Sequence, residues 1–332
     1  MPENTVLITG SDGYVGSHVA KAFKDISWYV CGLDRTGANE NARSYCNEFL
    51  RADYGESKVV GKYIETIKPD VIVHCAGTSL VGPSVTDPHA YYQNNVLGTI
   101  NLLDNIINVQ KDNLPVVLFS SSASVYGNPE QLPITEDSKI NPVNPYGNTK
   151  SIIETMLKDY ASAYGLNSVS FRFFNAAGAS EDLGQVFGAT HIIARILEAK
   201  LRQRQFTLYG TDYKTEDGTC VRDYVHVKDI AQAHLNAVTK YTAVGANAFN
   251  LGTSKGFSNQ EIIDAVVEQI GEFEVEKGPR REGDPDMLIA SSDKAKTQLG
   301  WDPVNSNLDT IINDVWAWYN VLLEKQKEQE QA

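Results

Sequence analysis

The 332-residue chain has few basic side chains, few cysteines and no long apolar runs. Its 29 lysines and arginines face 42 aspartates and glutamates, and the net charge of −13 repels phosphate backbones, so nucleic acid is not expected as a partner. No apolar run approaches the ~20 residues that cross a bilayer, so no membrane partner is expected either. Any phosphate-bearing ligand must therefore be bound by helix N-termini and a few well-placed arginines.

The cysteines are Cys31, Cys46, Cys75 and Cys220. They form no close pair and have no metal-type spacing, so neither a disulfide framework nor a metal site is expected. The chain also lacks Asn-X-Ser/Thr acceptor sequences, and its first residues lead into a strand pattern without a basic or apolar leader. These features indicate a reduced, cytoplasmic protein.

Short apolar runs alternate with helical patterns in the first half of the chain. The runs are too short for helices and almost continuously apolar, as in strands buried on both faces; they span residues 5–9, 28–33, 71–75, 116–120 and 169–173. Between the first two runs, Val15, Val19, Phe23 and Ile26 fall on one helical stripe. This alternation predicts an α/β fold with a doubly wound parallel sheet, a Rossmann architecture.

A glycine triple separates the first strand from the first helix. Gly10, Gly13 and Gly16 form G-x-x-G-x-x-G, and glycine is required where a backbone turns tightly against a pyrophosphate at a helix N-terminus. Asp34, at the end of the second strand, can accept hydrogen bonds from both hydroxyls of an adenine ribose, which favours NAD. The neighbouring Arg35 could instead bind the 2′-phosphate of NADP, so that alternative stays open.

A tyrosine and a lysine share one face of a predicted helix. Tyr146 and Lys150 are four residues apart, and a nearby ammonium group together with a positive nicotinamide ring would lower the phenol pKa from its usual value near 10. The fourth main strand ends in Ser120, Ser121 and Ser122, at the sheet edge where such folds bind ligands. A serine there can relay the proton that Tyr146 removes.

Together these features resemble the extended short-chain dehydrogenase/reductase family, and within it the UDP-glucose 4-epimerase branch, over about residues 1–320. The segments that carry the resemblance are TGSDGYVGSH (9–18), HCAGTSLVGPSV (74–85), YYQNNVLGT (91–99), SSSASVYG (120–127), NPYGNTK (144–150), FRFFNAAGA (171–179), YGTDYKTEDGTCVRDYVHV (209–227) and RREGDP (280–285). Among these, the TEDGT-x-VRDY block is particular to that branch.

The resemblance implies an NAD-dependent isomerase that inverts C4 of a UDP-hexose through a 4-keto intermediate. Tyr146 would take the proton from the 4-hydroxyl, Ser122 would hold that hydroxyl, and Lys150 would bind the nicotinamide ribose. The implied NAD contacts are Gly10, Gly13, Tyr14, Val15, Gly16, Asp34, Asp53, Tyr54, Cys75, Ala76, Gly77, Ser79, Asn94, Ser120, Tyr146, Lys150 and Phe173. The implied contacts to the UDP-sugar substrate are Ser122, Tyr146, Asn175, His191, Ile192, Thr207, Tyr209, Arg222, Arg281, Asp284 and Leu288. A homodimer through helices that flank the sheet is also implied.

Three positions depart from the family pattern. Many relatives have tyrosine in place of Phe173 and lysine in place of Ser79, and the second change puts one cofactor contact in doubt. Leu288 falls at a position that gates the sugar pocket, where tyrosine excludes N-acetylated sugars. Since leucine is smaller, we expect some tolerance for UDP-N-acetylglucosamine.

Two lobes are expected. We predict a Rossmann domain for NAD over residues 1–175, joined by 221–252, which should return to the main sheet. A smaller α/β lobe for the UDP-sugar would comprise 176–220 and 253–332, including a helix near 192–204.

Other reactions of the same family core are less consistent with the sequence. A 4,6-dehydratase carries Asp-Glu after the catalytic hydroxyl residue, and the decarboxylating branch keeps the glutamate; here Ala123 and Ser124 cannot supply that acid. A UDP-glucuronate or UDP-pentose 4-epimerase stays possible, because the chemistry at C4 is the same. A catalytically silent NAD-binding protein is the alternative from another class, although it would not need Ser122, Tyr146 and Lys150 together.

Overall fold

A parallel sheet forms the centre of the larger lobe. The computed structural model describes residues 4–280 and 284–331, and within them the sheet has seven strands in the order β10-β6-β5-β4-β1-β2-β3. These strands are β1 (Thr5–Thr9), β2 (Tyr29–Asp34), β3 (Glu48–Arg51), β4 (Val71–His74), β5 (Val116–Ser122), β6 (Ser168–Phe173) and β10 (Ala246–Leu251). The doubly wound α/β fold expected from the sequence is confirmed, with the reversal of strand order between β1 and β4.

Helices cover both faces of this sheet. On one face, α1 (Tyr14–Asp25) and α9 (Val227–Thr239) pack Phe23 and Ile230 against the strands, with α11 (Asp293–Leu299) beside them. On the other face, α3 (Ser57–Ile67), α6 (Gly98–Val109) and α7 (Pro145–Tyr164) pack Ile64, Leu102 and Ile153. Because both faces are covered, the strands consist of almost continuous apolar residues.

The smaller lobe is built around a second sheet. β7 (Asn175–Ala177) pairs with β9 (Val221–His226), which also pairs with β11 (Gly256–Ser258) and β13 (Met287–Leu288). β8 (Phe206–Tyr209) and β12 (Val275–Gly278) form a separate parallel pair. The helices α8 (Ile192–Leu201), α10 (Asn259–Ile270) and α12 (Leu308–Gln331) enclose a core with Ile196, Ile262 and Tyr319.

The remaining described helices are short and lie in connections. They are α2 (Glu40–Ser44), α4 (Val81–Thr86), α5 (Pro88–Tyr91), a π-helical turn (Tyr92–Leu97) that continues into α6, and a 3₁₀ turn (Ala123–Tyr126) directly after β5. None of the described helices combines the length and the apolar character needed to cross a membrane.

The segment 221–252 does not return to the main sheet as a whole. β10 joins β6 at its edge, as expected, but β9 belongs to the smaller sheet. The Asp223 carboxylate on β9 accepts hydrogen bonds from the backbone N–H groups of Thr253, Ser254 and Ala290, and these contacts help to hold β9 in its place in the smaller lobe. We retain the two-lobe division, with a boundary after residue 175, as a proposal.

Candidate active site

The turn after β1 has room only for glycine at two positions. Gly10 has φ of +73°, and a Cβ on it would lie 2.7 Å from the backbone nitrogen of Ala76. A Cβ on Gly16 would lie 2.1 Å from the carbonyl oxygen of Gly10. Helix α1 then begins at Tyr14 with no acidic residue in its first turn. A diphosphate group requires a backbone that it can approach closely. It also requires a helix N-terminus whose partial positive charge is not neutralised by an acidic side chain.

A cavity of about 150 Å³, the edge cavity, adjoins this turn. The Asp34 carboxylate accepts hydrogen bonds there from the backbone nitrogens of Thr36, at 3.0 Å, and Asp12, at 3.3 Å. Asp53 lies 3.8 Å from the Arg35 guanidinium, which partly neutralises the charge that a 2′-phosphate would need. The lining residues are Gly10, Gly13, Leu33, Asp34, Arg35, Ala52, Tyr54, Cys75, Ala76, Gly77 and Asn94. Most of the residues expected around the adenine ribose therefore line the edge cavity. Asp53 is not in this lining, and its carboxylate is paired with Arg35.

The main cavity has a volume of about 1100 Å³ and begins at the same glycine turn. Its lining includes many of the residues expected at the site: Gly10, Gly13, Tyr14, Val15, Gly16, Cys75, Gly77, Ser79, Ser120, Ser122, Tyr146, Lys150, Phe173, Asn175, His191 and Tyr209. The three residues expected to be catalytic therefore share one cavity with the phosphate-type turn.

Helix α7 places Tyr146 opposite Ser122. The Asn144 side chain caps the helix by accepting a hydrogen bond from Gly147 N at 2.8 Å, and Pro145 is pre-organised for the first turn. Burial raises the pKa of Tyr146, and a hydrogen bond with Ser122 acts in the opposite direction. Only 8% of Tyr146 is exposed, so a hydroxyl of a bound ligand would meet the phenol with little competing water.

Lys150 lies one turn further along α7, and its ammonium group is hydrogen-bonded to β5. Its Nζ donates to the carbonyl oxygen of Ser120 at 2.8 Å and lies 5.7 Å from the centre of the Tyr146 ring. Burial lowers the pKa of Lys150 to about 8. That Lys150 and a positive nicotinamide ring together lower the pKa of Tyr146 stays a prediction; in this structure burial raises that pKa.

A buried polar network lies beneath these residues. The Glu154 carboxylate accepts hydrogen bonds from Ser121 Oγ at 2.5 Å and from Arg172 Nη2 at 2.7 Å. Arg172 also donates to Tyr126 Oη, whose hydroxyl donates to Asn250 Oδ1 at 2.6 Å. Because Glu154 is on the same helix as Tyr146 and Lys150, the network holds α7 against β5 and β6.

The second cavity, of about 160 Å³, lies where the smaller lobe meets the end of β6. Its lining includes seven residues expected to bind the UDP-sugar: Asn175, His191, Ile192, Thr207, Tyr209, Arg222 and Asp284. Arg222 Nη2 is 2.6 Å from Asp284 Oδ1 in a mostly buried ion pair. Burial lowers the pKa of His191, so this side chain is neutral near pH 7.

Leu288, an expected substrate residue, does not line these cavities. Leu288 packs in an apolar cluster with Val125, Tyr126, Ile134 and Phe174, next to the 3₁₀ turn that follows Ser122. Arg281 lies outside the described residues. Arg195, in contrast, lines both the main and the second cavity and was missed. Its position four residues after His191, on the same helical face, is the sequence signal that could have revealed it.

The sequence profile of the "NAD dependent epimerase/dehydratase family" matches residues 6–252, a stretch that contains the glycine turn, Ser122, Tyr146 and Lys150. The chain belongs to this family. Members of the family use NAD, and the glycine turn and Asp34 fit its diphosphate and adenine ribose. Within the described residues, no group of three or more His, Cys, Asp or Glu side chains could hold a metal ion.

Similar proteins place the chain in one branch of the family. It is 39% identical over 320 residues to the UDP-glucose 4-epimerase of Halalkalibacterium halodurans, covering 95% of each chain. The UDP-glucose 4-epimerase of Lactobacillus helveticus is 40% identical over 322 residues, with 95% of this chain and 96% of the relative covered. The crystal structure of the Brucella ovis UDP-glucose 4-epimerase in complex with NAD superposes with a TM-score of 0.88 at 39% identity, covering 94% and 97%. The resemblance to the UDP-glucose 4-epimerase branch is confirmed.

Proposed function

We propose that this protein interconverts the C4 epimers of UDP-hexoses, UDP-galactose and UDP-glucose, with NAD as its cofactor. The observation that carries the proposal is the main cavity, in which a diphosphate-type glycine turn and the Ser122, Tyr146 and Lys150 side chains face one space. Bound NAD supplies a temporary acceptor for the C4 hydride. Since the hydride is returned, no external oxidant is consumed.

The residues of the chain supply binding and proton transfer. Tyr146 is the proposed base that takes the proton of the 4-hydroxyl and later returns it, with Ser122 holding that oxygen in position. Lys150, still protonated at pH 7 because its pKa is about 8, is the proposed contact to the nicotinamide ribose. The proposed NAD contacts are the expected NAD residues that line the edge and main cavities. The proposed UDP-sugar contacts are the expected substrate residues that line the second cavity.

The alternatives differ in what lies next to Ser122. A dehydratase or decarboxylase needs an acid directly after that serine, but the 3₁₀ turn places Ala123 and Ser124 there. The backbone nitrogen of Ser124 donates to Ser122 Oγ at 3.1 Å. The turn therefore orients Ser122 but supplies no carboxylic acid beside it. A UDP-glucuronate or UDP-pentose epimerase would use the same residues and differ only in the sugar accepted.

Purified protein given UDP-galactose without added cofactor tests the proposal. We expect UDP-glucose to form, because NAD stays bound through each turnover. UDP-glucuronate and UDP-xylose in parallel reactions serve as the comparison substrates. Turnover of these alone would contradict the hexose proposal, and no turnover of any sugar even after NAD is supplied would leave a silent NAD-binding protein.

We expect UDP-N-acetylgalactosamine to be a substrate, and Leu288→Tyr to lower its kcat/KM by about tenfold relative to UDP-galactose, since one steric change in a pocket is worth roughly 1–3 kcal/mol. Leu288 is half-buried and packs beside Phe174, which lines the main cavity, so we expect a tyrosine at this position to extend into the sugar site. Leu288→Met, which keeps the volume, is the matched control. Equal losses for both sugars would contradict the gating role.

We also propose a homodimer through the helices that flank the sheet. Ile152 on α7 is 38% exposed and Leu97, at the end of the π-helical turn, is 44% exposed, so apolar side chains are available on the outer face of these helices. Sedimentation velocity at micromolar concentration should give a dimer, and Ile152→Glu should shift it towards the monomer. A wild-type monomer under these conditions would contradict the proposal.

The proposed location is the cytoplasm. None of the four cysteines, all of which lie in the described part of the chain, forms a disulfide. Cysteines without disulfide bonds are typical of proteins that stay in a reducing compartment. Fractionation of the producing cells tests this proposal, and recovery of the protein from an extracytoplasmic fraction would contradict it.

A further inference from the structure

Arg195 is a cation at the site whose ligand the sequence did not indicate. It lies in the first turn of α8, is half-buried, and lines both the main and the second cavity. Its Cζ is 5.5 Å from the ring centre of Phe206 and 5.6 Å from that of Tyr209. These two rings on β8 hold the guanidinium against the cavity wall.

Arg195 forms no ion pair with a carboxylate of the described residues. The other guanidiniums near the site differ in this respect. Arg222 is paired with Asp284 at 2.6 Å, and Arg202 is paired with Glu198 at 3.2 Å. Arg204 also lines the main cavity, but its side chain is exposed to solvent. Within the described part of the chain, the positive charge of Arg195 is therefore unpaired and can attract an anionic ligand, in a protein whose net charge is −13.

We propose that Arg195 binds the diphosphate of the UDP-sugar together with Arg222, an assignment that rests on the proposed function. Both arginines line the second cavity, and its volume of only about 160 Å³ means that they border the same small space. The diphosphate is the anionic part of the substrate, and a planar guanidinium held on aromatic rings suits its oxygens. The N-terminus of α8, capped by His191 without a side-chain hydrogen bond, adds a favourable dipole.

This role would be expressed in binding and not in turnover. The diphosphate carries the same charge in the bound substrate and at the transition state, so its contacts stabilise both equally. Loss of Arg195 should therefore raise KM and leave kcat nearly unchanged. A rise in KM alone would indicate a lost substrate contact, whereas a fall in kcat would indicate a disturbed geometry at Tyr146.

Titration calorimetry on the NAD-loaded protein with UDP, and separately with uridine, tests the assignment. Arg195→Leu should weaken UDP binding by about tenfold to a hundredfold, as expected for loss of a charge-assisted hydrogen bond, and change uridine binding by less than about threefold. Arg195→Lys should recover part of the UDP affinity. Arg51→Leu removes the same charge from an exposed position that lines none of the three cavities, and this variant should bind UDP like the wild type.

The outcomes separate the two proposals. Equal weakening for UDP and uridine would place Arg195 at the base or ribose and overturn the diphosphate assignment, as would unchanged UDP binding in Arg195→Leu. Failure of the wild-type protein to bind UDP would instead refute the proposed function itself. Thermal melting of each variant with NAD bound shows that any loss of UDP affinity comes from a folded protein.

Discussion

Tyr146→Phe is expected to lower kcat for the conversion of UDP-galactose by about 10²- to 10⁴-fold, the usual contribution of a positioned base. The substitution removes one oxygen from a side chain that is 8% exposed, so the fold and NAD binding should persist. Steady-state rates, with NAD content measured on the same protein, provide the test.

The matched control is Tyr164→Phe, which removes the same oxygen from an exposed tyrosine at the other end of α7. That variant should retain wild-type activity. If Tyr146→Phe kept kcat within about threefold of the wild type, the proton would have to be removed by another group, and the assignment of Tyr146 as the base would be wrong.

Breaking the buried ion pair beneath the site should be the largest stability change. Arg172→Met leaves the Glu154 carboxylate buried without its cation, and such losses are worth roughly 3–5 kcal/mol of unfolding free energy. The pair is nearly solvent-free, with side-chain exposures of 4% for Arg172 and 6% for Glu154. Urea unfolding followed by circular dichroism measures the loss.

Two further variants complete that experiment. Glu154→Leu combined with Arg172→Met removes both charges and should recover much of the lost stability. Lys21→Met disrupts the exposed pair with Asp25, whose carboxylate is 60% exposed, and should change stability by less than about 1 kcal/mol. A loss for Arg172→Met no larger than that for Lys21→Met would show that the network contributes little.

The strands and the glycine turn could be predicted because their chemistry is local. Strands buried on both faces need continuous apolar residues, so β1, β4 and β5 are evident in the sequence. β3 was missed because Glu48–Arg51 carries charges at both ends and lies at the sheet edge, where apolar residues are not required. β9 was assigned to the wrong sheet because the partners of Asp223 come from segments more than 25 residues away.

The candidate site was predictable in its residue types and less so in their contacts. The sequence places Tyr146 and Lys150 on one helical face, but it does not show that Lys150 donates to the Ser120 carbonyl. Nor does it show that burial raises the pKa of Tyr146. Arg195 was missed because a single arginine on a helix has many possible environments, and only the packing against β8 shows which one it occupies.

Phe174 alone separates β6 of the main sheet from β7 of the smaller sheet. On one side, Phe173 lines the main cavity; on the other, Asn175 lines both the main and the second cavity. The covalent chain therefore fixes the spacing between the cavity proposed for catalysis and the cavity proposed for UDP-sugar binding. Loops elsewhere in the smaller lobe can diversify to accept new sugars without disturbing that alignment, which makes the lobe a good starting point for engineering substrate range.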